Sequence, residues 1–318
     1  MKKISIVIPC YNEGDVLPLL FKRLTASANT WKLNWEVICV DDGSSDDTWK
    51  KLLKQSVKDR HWYALSLSRN FGHQTAISCG IHYASGDAVI IIDADLQDPP
   101  EALHKYIQKW LDGYEVVYAI RKKRKEHVIK RISYWFFYRL LSKLSTFEIP
   151  LDTGDFSLID RKVVNVLKSM PERNRFVRGL RAWSGFKQIG LEYDRQERAA
   201  GQPKYTFSKL MHLAMDGIIS FSSIPLTIAS YLGLWVSLIS LTGIIFTLIQ
   251  RIFKSFFESI GIGPVPGFAT IVIAILFLGG VQLIFLGILG SYLSRIYDEV
   301  KGRPLWVIKD AIGIKINT

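Results

Sequence analysis

The sequence predicts an α/β domain built on a mostly parallel sheet, followed by two membrane-spanning helices. Three observations carry this. In the N-terminal third, short β-branched apolar runs alternate with longer helical patterns, as in a parallel sheet covered on both faces. Polar and acidic residues gather directly after those runs, where ligands bind in such sheets. Residues 225–250 and 264–294 contain no Asp, Glu, Lys or Arg, and a hydrocarbon core requires only ~20 apolar residues per helix.

Taken in order, ISIVIP (4–9) reads as a buried strand and Glu13–Ala28 as a helix. EVICVDDGS (36–44) is a strand ending in acids, followed by a helix over Ser45–Lys58. WYALSLS (62–68) is a third strand, with a helix over His73–Ala84. AVIIIDADLQD (88–98) is a fourth, with a helix through Pro100–Asp112 and a strand at EVVYAIR (115–121). The residues of chemical interest fall at the carboxyl ends: Tyr11–Glu13, Asp41–Ser44, Arg69–Gly72, Asp93–Asp98 and Arg121.

Beyond this, RKKRKEHVIKR passes into ISYWFFYRLLSKLS, and YTFSKLMHLAMDGIISFSSI leads into the first apolar run. Basic amphipathic helices rich in Trp and Phe lie in a membrane interface, which is how segments 128–146 and 205–224 are read. The domain plan is therefore a head over 1–224, a two-helix membrane region over 225–294 and a tail over 295–318. The apolar stretch after MKK is too short for a signal peptide, and basic residues flank the outer ends of the apolar pair more than the loop between them. Head and tail are thus expected in the cytoplasm, at the inner (plasma) membrane. Cys10, Cys39 and Cys79 form no CxxC pair, in keeping with a reducing compartment. The net charge of +12 sits beside the membrane segments rather than in a recognition motif, so no nucleic-acid partner is expected. Small residues in GGVQLIFLGILG permit close helix approach.

The decisive motif is DADLQD (93–98). Asp93 and Asp95, with the amide of Gln97, offer hard oxygen ligands suited to Mg²⁺ or Mn²⁺ completed by substrate phosphates. Alone the motif is weak, because acidic pairs also occur in solvated turns. VDDGS and PCYNE end neighbouring strands, so three clusters converge on one pocket.

With IVIPCYNE, VDDGSSDDT, SRNFGHQTAISCGIHYASGD and DADLQDPPE in this order, the chain resembles the family 2 glycosyltransferases of GT-A fold. IRKKR, TGDFSLIDR, RNRFVRGLRAWSGFKQ and RQERAAGQPKYTFSKL narrow the resemblance to polyprenyl-phosphate glycosyltransferases of the bactoprenol glucosyltransferase type, more distantly to dolichol-phosphate mannose synthases. That resemblance implies inverting transfer of a hexose, glucose from UDP-glucose foremost, to undecaprenyl phosphate. Pro9, Tyr11, Glu13, Val40, Asp42 and Ala94 would hold the nucleotide, and Arg121 the donor diphosphate. Asp93, Asp95 and Gln97 would hold the metal. Asp155 would orient sugar hydroxyls or the acceptor phosphate, a structural loop role being its alternative. Arg131, Arg198 and Lys204 would bind the acceptor phosphate, with Arg124 and Lys130 as substitutes near the first of them. Asp152 is a weaker candidate, Asp98 is either a site residue or a cap before Pro99, and Trp183 is either a sugar platform or core. The resemblance and the small-residue spacing also suggest a homo-oligomer, a tetramer among the options. Mannosyl or amino-sugar transfer, a polysaccharide synthase and a non-catalytic nucleotide-sugar binder are the competing readings; a synthase would carry a Gln-x-x-Arg-Trp segment, which is not found.

Overall fold

The computed structural model describes residues 2–121, 153–173, 175–193, 224–261 and 267–316. Its central feature is an eight-stranded sheet: β1 (Lys3–Cys10), β2 (Asn34–Asp41), β3 (Trp62–Leu67), β4 (Ala88–Ile91), β5 (Val116–Arg121), β6 (Thr153–Asp160), β7 (Gln188–Tyr193) and β8 (Ile308–Ile312). The order is β7-β5-β6-β4-β1-β2-β3-β8. β4, β1, β2 and β3 pair in parallel, and β5 pairs in parallel with β7. β6 and β8 run antiparallel to their neighbours, so the sheet is mixed.

The helices follow the apolar spacing. α1 (Leu17–Ala28), α2 (Thr48–Lys58), α3 (His73–Tyr83) and α4 (Leu103–Leu111) connect the first strands; α5 (Arg161–Ser169) and α6 (Val177–Trp183) lie between β6 and β7. α1 starts later than the sequence pattern indicates, because residues 13–16 form a turn closed by Val16 N–H on the Glu13 carbonyl, and Pro18 falls in the first helical turn. On one face of the sheet Ile4, Ile6 and Ile8 pack with Leu17, Leu20 and Leu24 of α1 and Tyr106 of α4. On the other, Val7 and Val40 lie against Gly80 of α3. Each fully buried Ile, Leu or Val is worth about 1.5–3 kcal/mol.

Two compact units result. Residues 1–214 and 303–318 make the first, and 215–302 the second. The sequence reading set 295–318 apart as a tail, whereas its end supplies the edge strand β8 to the central sheet, with Ser68 N–H donating to the Val307 carbonyl at 2.9 Å. In the second unit, α7 (Ile224–Ile252) and α9 (Phe268–Val300) flank a short α8 (Lys254–Ser259). Leu226–Gln250 and Phe277–Val300 are long and apolar enough to cross a membrane, and neither is buried against protein. The amphipathic segments 128–146 and 205–224 (Ile224, the first residue of α7, aside), with Arg124, Lys130, Arg131, Asp152, Arg198 and Lys204, lie outside the described residues.

Candidate active site

The site is built where β1, β2 and β4 end and the antiparallel β6 begins. β1 and β2 are in register with Pro9 beside Val40, both buried. Beyond them the two loops are tied to each other: Asn12 N–H donates to Ser44 Oγ, Ser45 N–H donates to Asn12 Oδ1, and Glu13 N–H donates to Thr48 Oγ1, each at 2.9 Å. Asn12 takes a left-handed conformation (φ 53°) to make this turn. Tyr11 stands exposed at the strand end.

Asp41 and Asp42 are both buried, and both bind protein. Asp41 accepts from Ser44 N–H and Ser66 Oγ. Asp42 accepts from the amides of Phe71 at 2.7 Å and Gly72 at 2.9 Å. Burial pushes the Asp42 carboxyl up from its ordinary value, against these two hydrogen bonds. Gly43 between Asp42 and Ser44 has φ +69°, and a Cβ there would lie 2.5 Å from the Arg69 carbonyl carbon, so loop 41–44 and loop 69–72 pack backbone to backbone. Asp42 is thus the clasp of the loop that starts α3.

α3 then delivers His73 and Gln74. His73 Nε2 lies 3.5 Å from Asp93 Oδ1 and 3.6 Å from Asp155 Oδ2. Burial alone would lower the His73 pKa, but Asp155 and Asp93, with Asp42 behind them, push it up to about 9. Gln74 Nε2 donates to Asp155 Oδ2 at 2.7 Å, while its Oε1 accepts from Val177 N–H at 2.9 Å, tying α6 to the same point. Burial alone would raise the Asp155 pKa; His73, the nearby Arg178 charge and Gln74 hold it well below the usual carboxylate range. His73, Gln74 and Arg178 escaped the sequence reading as site residues, although all three lie in quoted motifs. The signal was Gly72-His73-Gln74 opening a helix at a strand end.

After β4 the chain turns sharply through Leu96, a buried residue with φ 58°. Gln97 N–H donates to Asp95 Oδ1 at 3.1 Å, and Ala94 and Asp95 are largely buried. Asp98 is buried and accepts from the Tyr193 hydroxyl, anchoring the motif to β7. Arg121 ends β5 opposite Tyr193 in register. Trp183 is exposed, not core. Among the described residues no three His, Cys, Asp or Glu side chains form a metal cage of their own. Two carboxylates and an amide at a strand end instead fit a divalent cation of the kind that takes its remaining ligands from substrate phosphates and water.

The chain is similar to known glycosyltransferases over most of its length. The profile described as "Glycosyl transferase family 2" matches residues 5–167. An uncharacterized glycosyltransferase of Synechocystis sp. is 48% identical over 314 residues, covering 98% of this chain and 96% of its own. The SfII prophage-derived bactoprenol glucosyl transferase of Shigella flexneri is 41% identical over 309 residues, covering 96% and 97%. A prophage bactoprenol glucosyl transferase homolog of Escherichia coli is 39% identical over 308 residues, covering 96% and 98%. With a GT-A-like mixed sheet, acids converging at its strand ends and relatives aligned over nearly their whole length, this chain belongs to glycosyltransferase family 2.

Proposed function

We propose that this enzyme transfers glucose from UDP-glucose to undecaprenyl phosphate, with inversion, at the cytoplasmic face of the inner membrane. The observation that carries the reading is the meeting of Asp93 and Asp155 on His73 at the end of β4, in a chain aligned end to end with bactoprenol glucosyl transferases. Tyr11, exposed at the end of β1, is suited to stack on the base, with Pro9, Val40 and Ala94 buried at the ends of β1, β2 and β4 and Glu13 in the turn that follows. Asp42 serves the nucleotide by holding the 69–72 loop. Arg121 neutralises the donor diphosphate. Asp93, Asp95 and Gln97 would hold Mg²⁺ or Mn²⁺, which when bound neutralises charge on a departing diphosphate.

The acceptor phosphate is mostly dianionic at neutral pH (second pKa ≈ 6) and needs no dedicated general base. Its oxygen attacks the anomeric carbon as the bond to the nucleoside diphosphate breaks on the opposite side, so an α-linked donor gives a β-linked product. Asp155 is suited to accept from a sugar hydroxyl and to oppose positive charge at the anomeric centre. Arg131, Arg198 and Lys204 are assigned to the acceptor phosphate, because two anions must meet and guanidinium groups bind phosphate bidentately. β8 follows the second apolar helix yet shares a sheet with β1, so the chain between them returns to the side it left. Two crossings satisfy that condition and keep head and C-terminus on one side.

The test offers purified full-length protein a panel of UDP- and GDP-sugars with undecaprenyl phosphate and Mg²⁺ or Mn²⁺. UDP-glucose gives a lipid-linked product, and Asp95→Ala abolishes it while the protein remains folded by circular dichroism. A wild type that transfers no sugar to the lipid, or an Asp95→Ala variant that turns over normally, refutes the reading.

A further inference from the structure

Arg181 of α6 is the one buried Lys or Arg among the described residues, at 1% exposure. Its Nε, Nη1 and Nη2 are all enclosed and make no hydrogen bond among the described residues; the Tyr118 ring lies 5.5 Å from Cζ. Burial brings its pKa down to about 10, the attraction of Asp155 works the other way, and Arg178 adds repulsion. An enclosed cation without hydrogen bonds is a net cost to a fold, and apolar replacements of such groups are often neutral or stabilising. Asp155 presents the complementary anomaly. Its Oδ2 accepts from Gln74, whereas its Oδ1 is buried and accepts from no described residue.

We propose that Arg181, set against the Tyr118 ring that stands opposite Ser157 on β6, two residues from Asp155, is a positioning residue for Asp155: together with His73 and Arg178 its charge, acting from a distance, holds the carboxylate in place while leaving Oδ1 open to the donor sugar. A bidentate Arg–carboxylate pair would do the first only by occupying both oxygens. Attraction through a poorly solvated interior holds the anion without using its lone pairs. The residue is retained for the site at the expense of the fold. The proposal rests on the glucosyl-transfer reading for the identity of the sugar.

Arg181→Met keeps the length and removes the charge. Its kcat falls about tenfold or more, its KM for the donor changes little, and its Tm is unchanged or higher. Arg181→Lys restores the charge and recovers most of kcat. Wild-type turnover in Arg181→Met overturns the proposal, as does a parallel loss of Tm and kcat in both variants, which marks a packing role. Should Arg181→Met fail to fold, Asp155→Asn decides: the remaining kcat deficit of Arg181→Lys vanishes in that background, and a deficit that persists overturns the proposal. The wild-type product assay judges the functional reading by itself. The ratios between variants, taken on whichever donor the wild type turns over, judge Arg181.

Discussion

Asp42→Asn separates a residue that touches the nucleotide from one that shapes the loop around it. In the structure both carboxylate oxygens are engaged, by Phe71 N–H at 2.7 Å and Gly72 N–H at 2.9 Å. Asparagine keeps one acceptor and turns an NH₂ toward the other amide. A part-buried amide left without its acceptor costs about 1–2 kcal/mol. The raised Asp42 pKa shows that burying the charge is itself unfavourable, so the neutral amide recovers part of that loss and the lower end of the range applies. For a domain of this size, Tm falls by about 2–4 °C per kcal/mol. Hydrogen exchange reads the same bonds directly: one of the Phe71 and Gly72 amides exchanges about 5- to 30-fold faster, and donor affinity drops with it. If Asp42→Asn loses donor affinity while Tm and the exchange of residues 69–73 stay as in wild type, Asp42 is a direct ligand and the clasp argument is wrong.

Gly80→Ala would place a methyl 2.3 Å from Val7 Cγ1 between α3 and β1. Overpacking costs about 1–3 kcal/mol and exceeds the gain in helix propensity, so Tm falls; an unchanged Tm means the α3–β1 contact is looser than described. His73 is held charged by Asp155 and Asp93, with a pKa raised to about 9. Its contribution to stability is complete below the unfolded value of about 6.5 and is lost as pH rises through 9. The drop in Tm between pH 7 and 10 is therefore smaller in His73→Gln, and an identical drop refutes the assignment. Ending the chain at Gly302 removes β8, exposes the β3 edge and breaks the ring contact of Trp306 with His82. The shortened protein melts earlier and aggregates more readily; a monodisperse sample with wild-type Tm would show that the edge strand is dispensable.

The first five strands were legible because each is a continuous apolar run bounded by turn residues, a pattern that depends only on local sequence. β6 and β8 were not. In TGDFSLID the apolar positions alternate with polar ones, and the segment was taken for a site motif; its pairing with β4 and β5 follows only from long-range contact. IKDAI carries two charged residues in five and lies some 240 residues from its partner β3, beyond the reach of any local pattern. The same limit governs the site. Asp93, Asp95 and Asp42 could be picked out because carboxylates at strand ends are chemically conspicuous, whereas Asp155 came only from the family resemblance. The network joining them could not, since Gln74 links β6 to α6 through hydrogen bonds that no spacing rule encodes.

What distinguishes the acids is how their oxygens are already used. Asp41 accepts from Ser44 and Ser66, Asp42 from Phe71 and Gly72, and Asp98 from Tyr193. Loops leaving the end of a sheet have lost the ladder that satisfied their amides, and these side chains replace it. Buried and hydrogen-bonded to protein, they act as scaffold. Asp155, with one oxygen unclaimed by any described residue, instead keeps acceptor capacity for a ligand, and Asp93 is 30% exposed beside His73. Identical residue types at equivalent strand ends therefore divide into two groups with different failure modes. Neutralising a scaffold acid lowers stability and activity together, because the loop it holds is also the wall of the site. Neutralising Asp93 or Asp155 lowers activity by more than the accompanying loss of stability accounts for, since each faces the charged His73 but neither clasps a loop. The two classes are told apart by plotting kcat against Tm across the five variants, and a single line through all of them would erase the distinction.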